Sequence, residues 1–312
     1  MATIAAEQVD LGGRAERTRW QKTVRLAKRN PLGAAAAVLL SVFSLIAIGA
    51  GTDTLPLSST QGSASPLIAT HDPFLMSSSE VLQKPGNGHL MGTDDLGRDL
   101  FSRIVYGARI SLWVGFISVG ISVGIGAPAG MISAYGGKWI DFAIQRVVDA
   151  MFAFPTIILA LAIVSVLGKG IFQTTIAVGI VGIPRIARVT RASTLGVKSL
   201  PYIEAARSLG APAPLIVSRH VFPNILAPLI VLGTAGFGTA ILAEASLSFL
   251  GLGTPPPNPS WGTMLSGAAQ QYVRSAPYMA IFPGIAISLG VFAFNLFGDA
   301  LRDIFDPRLR GA

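Results

Sequence analysis

The sequence predicts an all-α, polytopic membrane protein with six transmembrane helices. Three observations carry that prediction. Of 312 residues, 51% are apolar and only 13% are charged, whereas a soluble domain carries about 25% charged residues. Mean hydropathy is +0.58. Six segments approach the ~20 mostly apolar residues needed to cross a hydrocarbon core of roughly 30 Å. The 35 Gly and 20 Pro do not gather into a polar low-complexity tract, which excludes a disordered chain.

Residues 31–51 form the first span. The basic leader before them is too long for a signal peptide, and no convincing small-residue cleavage site follows, so they read as an anchor. Residues 110–134 are the second span, and 147–168 the third, with Pro155 placed to kink it. Residues 171–186 are a short fourth span that extends toward Arg188, whose side chain can snorkel to the interface. Residues 225–250 and 277–297 complete the set. The short alternating segments of a β-barrel are absent. The chain thus divides into a basic N-terminal segment (1–30), the first helix (31–51), an external loop (52–109), a core of five helices (110–298) and a tail (299–312).

Charge placement orients these spans. With the N-terminus in the cytoplasm, eighteen of the 24 Lys and Arg fall on the cytoplasmic side. The positive-inside rule therefore places both termini in the cytoplasm. The same distribution explains the net charge of +8 without nucleic acid, and no aromatic-interleaved basic patch is present. With no Cys, disulfides, thiolate catalysis and Cys metal sites are excluded. None of His71, His89 and His220 lies in a span, and there is no His-Glu-x-x-His pattern, which argues against intramembrane hydrolysis. No G-x-x-x-x-G-K-[ST] loop occurs, so the chain does not hydrolyse ATP alone. Glu244 is the one clear ionisable group in the apolar core of a span. It reads either as a functional acid lining a cavity or as one satisfied by polar neighbours or a partner subunit.

The informative loop is SLPYIEAARSLGAPAPLIVSRHVFPN, residues 199–224. Ser199 can cap a helix whose first turn accepts Pro201. Tyr202, Ala206 and Leu209 fall at i, i+4 and i+7 in one apolar stripe, with Glu204 and Arg207 on other faces. Gly210 stops the helix, Pro212 and Pro214 enforce the break, and a second helix follows from about Leu215 to Val221, ending near Pro223. A short amphipathic helix of this kind suits docking into a partner's groove or lying on lipid.

Glu204-Ala205-Ala206, then Gly210 and Pro223, resemble the EAA loop of ABC importer permeases. The Ile and Leu positions of the general ending are replaced here, but Arg219 to Asn224 is similar to the peptide-importer branch. HLMGTDDLGRDLFSRIVYGARISL (89–112), EASLSFLGLGTPPPNPSWG (244–262) and DPRLR (306–310) resemble, in order, three further stretches of the C-type subunits of oligopeptide and dipeptide permeases. Residues 52–87 carry no resemblance.

The resemblance implies a type I importer in the bacterial cell membrane. A second homologous permease completes the pore, two ATP-binding subunits sit beneath, and an extracytoplasmic binding protein delivers substrate. This chain would bind no cofactor; ATP and Mg would be handled by the ATPase subunits. Residues 200–210 become a coupling helix. Tyr202, Glu204, Ala205, Ala206, Arg207, Leu209, Gly210 and Pro223 are its candidate site residues, with Glu204, Ala205, Ala206 and Gly210 matching the docking motif. At the outer edge Asp94, Asp95, Arg98 and Asp99 read either as a self-paired helix cap, with Asp94 or Asp95 at the start, or as contacts to the binding protein or partner permease. Trp261 reads as an interfacial anchor or part of a gate, the anchor being preferred, and Pro255 to Pro259 stiffen the outer loop. The expected cargo is peptide. Nickel and glutathione importers share the branch, and a secondary transporter is the alternative of another class.

Overall fold

Helix α1 (Pro31–Gly49) opens the described part of the chain, which in this computed structural model comprises residues 31–49, 68–86, 88–266 and 268–305. The basic segment 1–30 and the DPRLR ending lie outside it. No strand occurs among the described residues. Isolated bridges join Gly86 to His89 and Thr93 to Asp99 in the turns that precede α2.

Helix α2 (Leu100–Tyr135) starts well before the expected 110. The cause is Asp99, whose side chain accepts the Ser102 N–H as N-cap and so satisfies one of the donors a helix start leaves open. The expected cap at Asp94 or Asp95 is therefore corrected to Asp99. The third span is corrected as well. It is two helices, α3 (Lys138–Phe152) and α4 (Thr156–Leu167), bent by 97°. Pro155 lacks an N–H and pushes Phe154 out of the helical region. Pro155 itself is extended (ψ 134°) and begins α4.

Helix α5 (Ile171–Lys198) runs far beyond the expected short span. Four helices are long and apolar enough to cross a membrane among the described residues, or five if the bent α3–α4 pair is one span. The expected six is not reached on that criterion, because Gln173, Arg185 and Arg188 interrupt the apolar run of α5. Helix α6 (Pro201–Ser208) follows. Then α7 (Ala213–Ile216), a π-helical turn (Val217–Val221) and α8 (Phe222–Phe249) form one continuous rod. The second loop helix thus does not end near Pro223. Pro223 has no N–H to give to the carbonyl four residues back, and the chain widens into the π turn just before it. The outer segment 251–276 contains two short helices, α9 (Trp261–Leu265) and α10 (Ala268–Gln271), before α11 (Tyr278–Phe305).

The body is organised around α2, which packs along α5 on one side and against α8 on another, with α11 against α8 and α1 on the rim between α2 and α11. On α2, Ser118, Ser122, Gly126 and Gly130 recur every fourth residue and form one ridge. The Ser118 hydroxyl donates to the Thr175 carbonyl at 2.9 Å, and that of Ser122 to the Gly179 carbonyl at 2.7 Å. A Cβ at Gly130 would lie 2.4 Å from the Ala187 carbonyl oxygen, so only glycine permits this approach. Small residues that bring backbones together are the usual glue between helices in lipid, where apolar burial adds little. Charge ties α3 to α5: Arg191 grips Asp141 through two nitrogens at 2.7 and 2.6 Å, and Arg188 meets Asp149 at 2.5 Å while stacking on Phe152.

Candidate functional site

Helix α6 leaves α5 through an extended Leu200 and begins on Pro201, whose missing N–H costs nothing at a first turn. Ser199 is not its cap. It ends α5, and its hydroxyl donates to the Gly196 carbonyl. One side chain fastens α6 to the body: Ile203 is 0% exposed and packs with Ile216, Val221 and Ile225, where the ends of α2, α5 and α8 converge. The Tyr202, Ala206, Leu209 stripe, expected to meet a partner's groove or lipid, is not used for packing on this chain. Leu209 is 89% exposed, Tyr202 is exposed, and Ala206 is half-buried.

The far end of α6 is closed by two bonds. The Gly210 N–H donates to the Arg207 carbonyl (2.9 Å), and that of Ala211 to the Ala206 carbonyl (3.1 Å). This is the Schellman pattern, which needs a left-handed residue at the position of Gly210; its φ is +82°. The motif residues Glu204, Ala205, Arg207 and Gly210 all remain exposed, and among the described residues the Glu204 carboxylate has no ion-pair partner. The Arg219–Asn224 stretch lies beside them. Asn224 Nδ2 donates to the Tyr202 hydroxyl (3.2 Å) and to the His220 carbonyl (2.6 Å), so the turn before Pro223 buttresses the start of α6. Lys198 completes the mount: its Nζ donates to the Ala134 carbonyl at 2.7 Å and sits over the Tyr135 ring, joining the ends of α5 and α2.

Within the helical body a cavity of about 250 Å³ opens between α2, the α3–α4 bend, α5 and α8. Its wall is mostly apolar, with Ser118, Ser122, Thr156 and Thr239 as polar points and Arg185 as the one ionisable lining residue. Sequence reading missed both the cavity and Arg185. The available signal was the fourfold recurrence of small residues on α2. The lining holds no acid and no histidine.

The outer candidates are mostly committed to structure. Asp94 Oδ2 meets Arg98 Nε at 2.6 Å and Arg103 Nε at 3.6 Å, while its Oδ1 accepts the N–H of Leu96 and Arg98. Asp99 caps α2. Asp94, Asp95 and Arg98, with Lys169 and the Pro255–Pro257 run, line a second cavity of about 400 Å³. Trp261 is not an interfacial anchor. It is 1% exposed, its indole N–H donates to the Ile104 carbonyl (3.0 Å), and its ring packs against Phe43, Gly107 and Gly290. Glu244 is buried beneath the same outer segment. Its Oε1 accepts the Ser248 hydroxyl at 2.6 Å, while Oε2 has no partner among the described residues. Neither cavity is lined by Glu244.

An exposed helix seated on converging helix ends beside a cavity fits a transport subunit, and the sequence relatives decide the family. Residues 126–311 match the profile of the binding-protein-dependent transport system inner membrane components. The chain belongs to this family. As an inner membrane transport component it is 43% identical over 291 residues to the dipeptide transport system permease protein DppC of Alkalihalophilus pseudofirmus, covering 93% of this chain and 90% of the relative. It is 47% identical over 226 residues to the glutathione transport system permease protein GsiD of Pectobacterium atrosepticum, covering 72% and 75%. Among solved structures it matches an inward-facing conformation of the MetNI methionine ABC transporter with a TM-score of 0.54 at 21% identity, over 66% of this chain and 98% of that one. That likeness shows the fold, an ABC permease fold whose helices this component shares.

Proposed function

We propose that the chain is the permease subunit of an ATP-driven importer of peptides. It would work beside a second, homologous permease, above two ATP-binding subunits and below an extracytoplasmic binding protein. The observation that carries this reading is the 43% identity to a dipeptide permease along 93% of the chain, together with an EAA-type helix that exposes its motif residues. Glutathione is itself a tripeptide, so the glutathione permease relative falls within the same cargo class and is the alternative specificity.

The geometry supports a lever mechanism. An ATPase groove receives Glu204, Ala205 and Leu209, and the Ile203 contact converts movement of α6 into movement of the helix ends packed around it. A packed core transmits a displacement rather than absorbing it, so closure of the ATPase dimer rocks the helices as rigid bodies. In this reading α5 is the fourth of six spans despite its arginines. The 250 Å³ cavity is this subunit's half of the pathway, and both termini face the ATPase side. ATP and Mg would be bound and hydrolysed by the partner ATPase subunits rather than by this chain.

The test is co-purification of the tagged chain from its native membrane under mild detergent, followed by reconstitution. A second permease, two ATPase chains and vanadate-sensitive ATPase activity are expected in the eluate, with labelled dipeptide and glutathione compared as cargo in liposomes. Glu204→Lys abolishes uptake while the chain still inserts. Recovery of the chain alone without ATPase, or normal uptake by Glu204→Lys, overturns the proposal.

A further inference from the structure

Outside the docking helix and both cavities, three separate segments bring two imidazoles and a carboxylate together ahead of α2. The ligand atoms of His71, His89 and Asp99 all lie within 4.8 Å of one another. Both Nδ1 atoms face the same oxygen, Asp99 Oδ1, at 2.9 Å from His89 and 3.9 Å from His71. Bonds of about 2.0–2.2 Å at tetrahedral angles put neighbouring ligands roughly 3.3–3.5 Å apart, and the two observed separations bracket that value.

The surroundings match a metal centre in two further respects. The other nitrogen of His89, Nε2, lies 3.7 Å from Glu80 Oε2. That is ion-pair range rather than a hydrogen bond, and a carboxylate on that side of the ring favours a proton on Nε2, leaving Nδ1 to the ion. Asp99 is held by the Ser102 N–H and hydroxyl at 2.8 and 2.6 Å. His89 and Asp99 are buried, whereas the His71 side chain is 41% exposed and leaves a path for an ion to enter.

We propose that His71, His89 and Asp99 bind a divalent transition-metal cation of the zinc class. Two imidazoles favour such an ion over calcium or magnesium, which take oxygen ligands. On binding, the proton shared between His89 Nδ1 and Asp99 is released and the metal takes its place. His71 belongs to a segment that already touches α2, through the His71 N–H to the Ser102 hydroxyl (3.1 Å) and Arg103 Nη1 to the Pro73 carbonyl (2.9 Å). The ion would clamp that segment to the start of α2. The inference stands independently of the transported cargo.

The test uses the full chain, purified through a histidine-free tag and stripped with chelator. Zn²⁺ is titrated in competition with a chromophoric chelator, and Co²⁺ is followed by its visible absorption. With no Cys and only three His in the sequence, competing sites are few. One equivalent of tight Zn²⁺ is expected, together with a tetrahedral Co²⁺ band. His71→Ala, at an exposed side chain that leaves the fold intact by circular dichroism, removes the band and weakens Zn²⁺ by more than tenfold. Glu80→Gln weakens it about tenfold, the usual loss for such a supporting carboxylate, and His220→Ala leaves it unchanged. No saturable equivalent, equal affinity in His71→Ala, or weakening only in His220→Ala overturns the proposal.

Discussion

Replacing Gly210 separates the aim of α6 from its stability. A Cβ built on Gly210 meets nothing within 4 Å, so the substitution has no steric cost. The whole effect comes from φ, which is +82°. A left-handed conformation costs a residue with a side chain roughly 1–2 kcal/mol. The loss of unfolded-state freedom from Gly to Ala returns about 0.4–1 kcal/mol. The net cost for Gly210→Ala is then about 1 kcal/mol, which lowers the ratio of correctly aimed to misaimed helix about fivefold and shifts Tm by only a few degrees. Asn tolerates the left-handed region through its short polar side chain, and a β-branched residue tolerates it least. In liposomes containing the assembled transporter, peptide taken up per ATP hydrolysed should fall in the order Gly, Asn, Ala, Val, with Tm nearly constant. Val equal to Gly, or Asn worse than Ala, would refute the reasoning, because either result means that φ at this residue does not set the aim of the helix.

Other predictions follow from burial. Ile203→Ala empties a site that is 0% exposed and should destabilise the chain by about 2–5 kcal/mol, read as a lower Tm, with ATPase activity that no longer responds to the binding protein. Trp261→Ala removes an indole packed against Phe43 and hydrogen-bonded to Ile104. It should cost about 3–5 kcal/mol, and its signature in fluorescence-detected size exclusion is aggregation rather than a change in cargo. Glu244→Gln keeps an acceptor for the Ser248 hydroxyl and should leave uptake intact, whereas Glu244→Ala orphans that buried donor at about 1–3 kcal/mol. Abolished uptake in Glu244→Gln with normal Tm would mark a coupling-ion site instead.

The apolar spans were legible because lipid demands long runs of apolar residues, and α1, α2, α8 and α11 supply them. Helix α5 was legible only in its first half, since Arg185, Arg188 and Arg191 break the run while Asp149, Phe152 and Asp141 receive two of them in space. Pro155 announced a break in the third span but not its angle, which depends on what the two pieces pack against. The motif placed α6 and its Gly210 stop correctly, and the Tyr202–Leu209 stripe read as facing a partner or lipid is exposed, but Ile203, the side chain that fastens α6 to the body, went unnoticed. In an eight-residue helix both faces carry apolar side chains, and only tertiary contacts distinguish them. At the outer edge, the charged cluster offered Asp94 or Asp95 as the cap of α2. Asp99 won because its side chain reaches the Ser102 N–H. His71 and His89 could not be joined by reading along the chain, because turns bring them together.

The position of Trp261 has a consequence for biogenesis. Phe43 and Ile46 on α1 rest on a patch made by Trp261, α8 and α11, with only Ala108 and Ile104 supplied by α2. Chains emerge N-terminus first, so α1 enters the bilayer before most of its seat has been translated. It waits as a lipid-facing helix, and only the last third of the polypeptide gives it a place to settle.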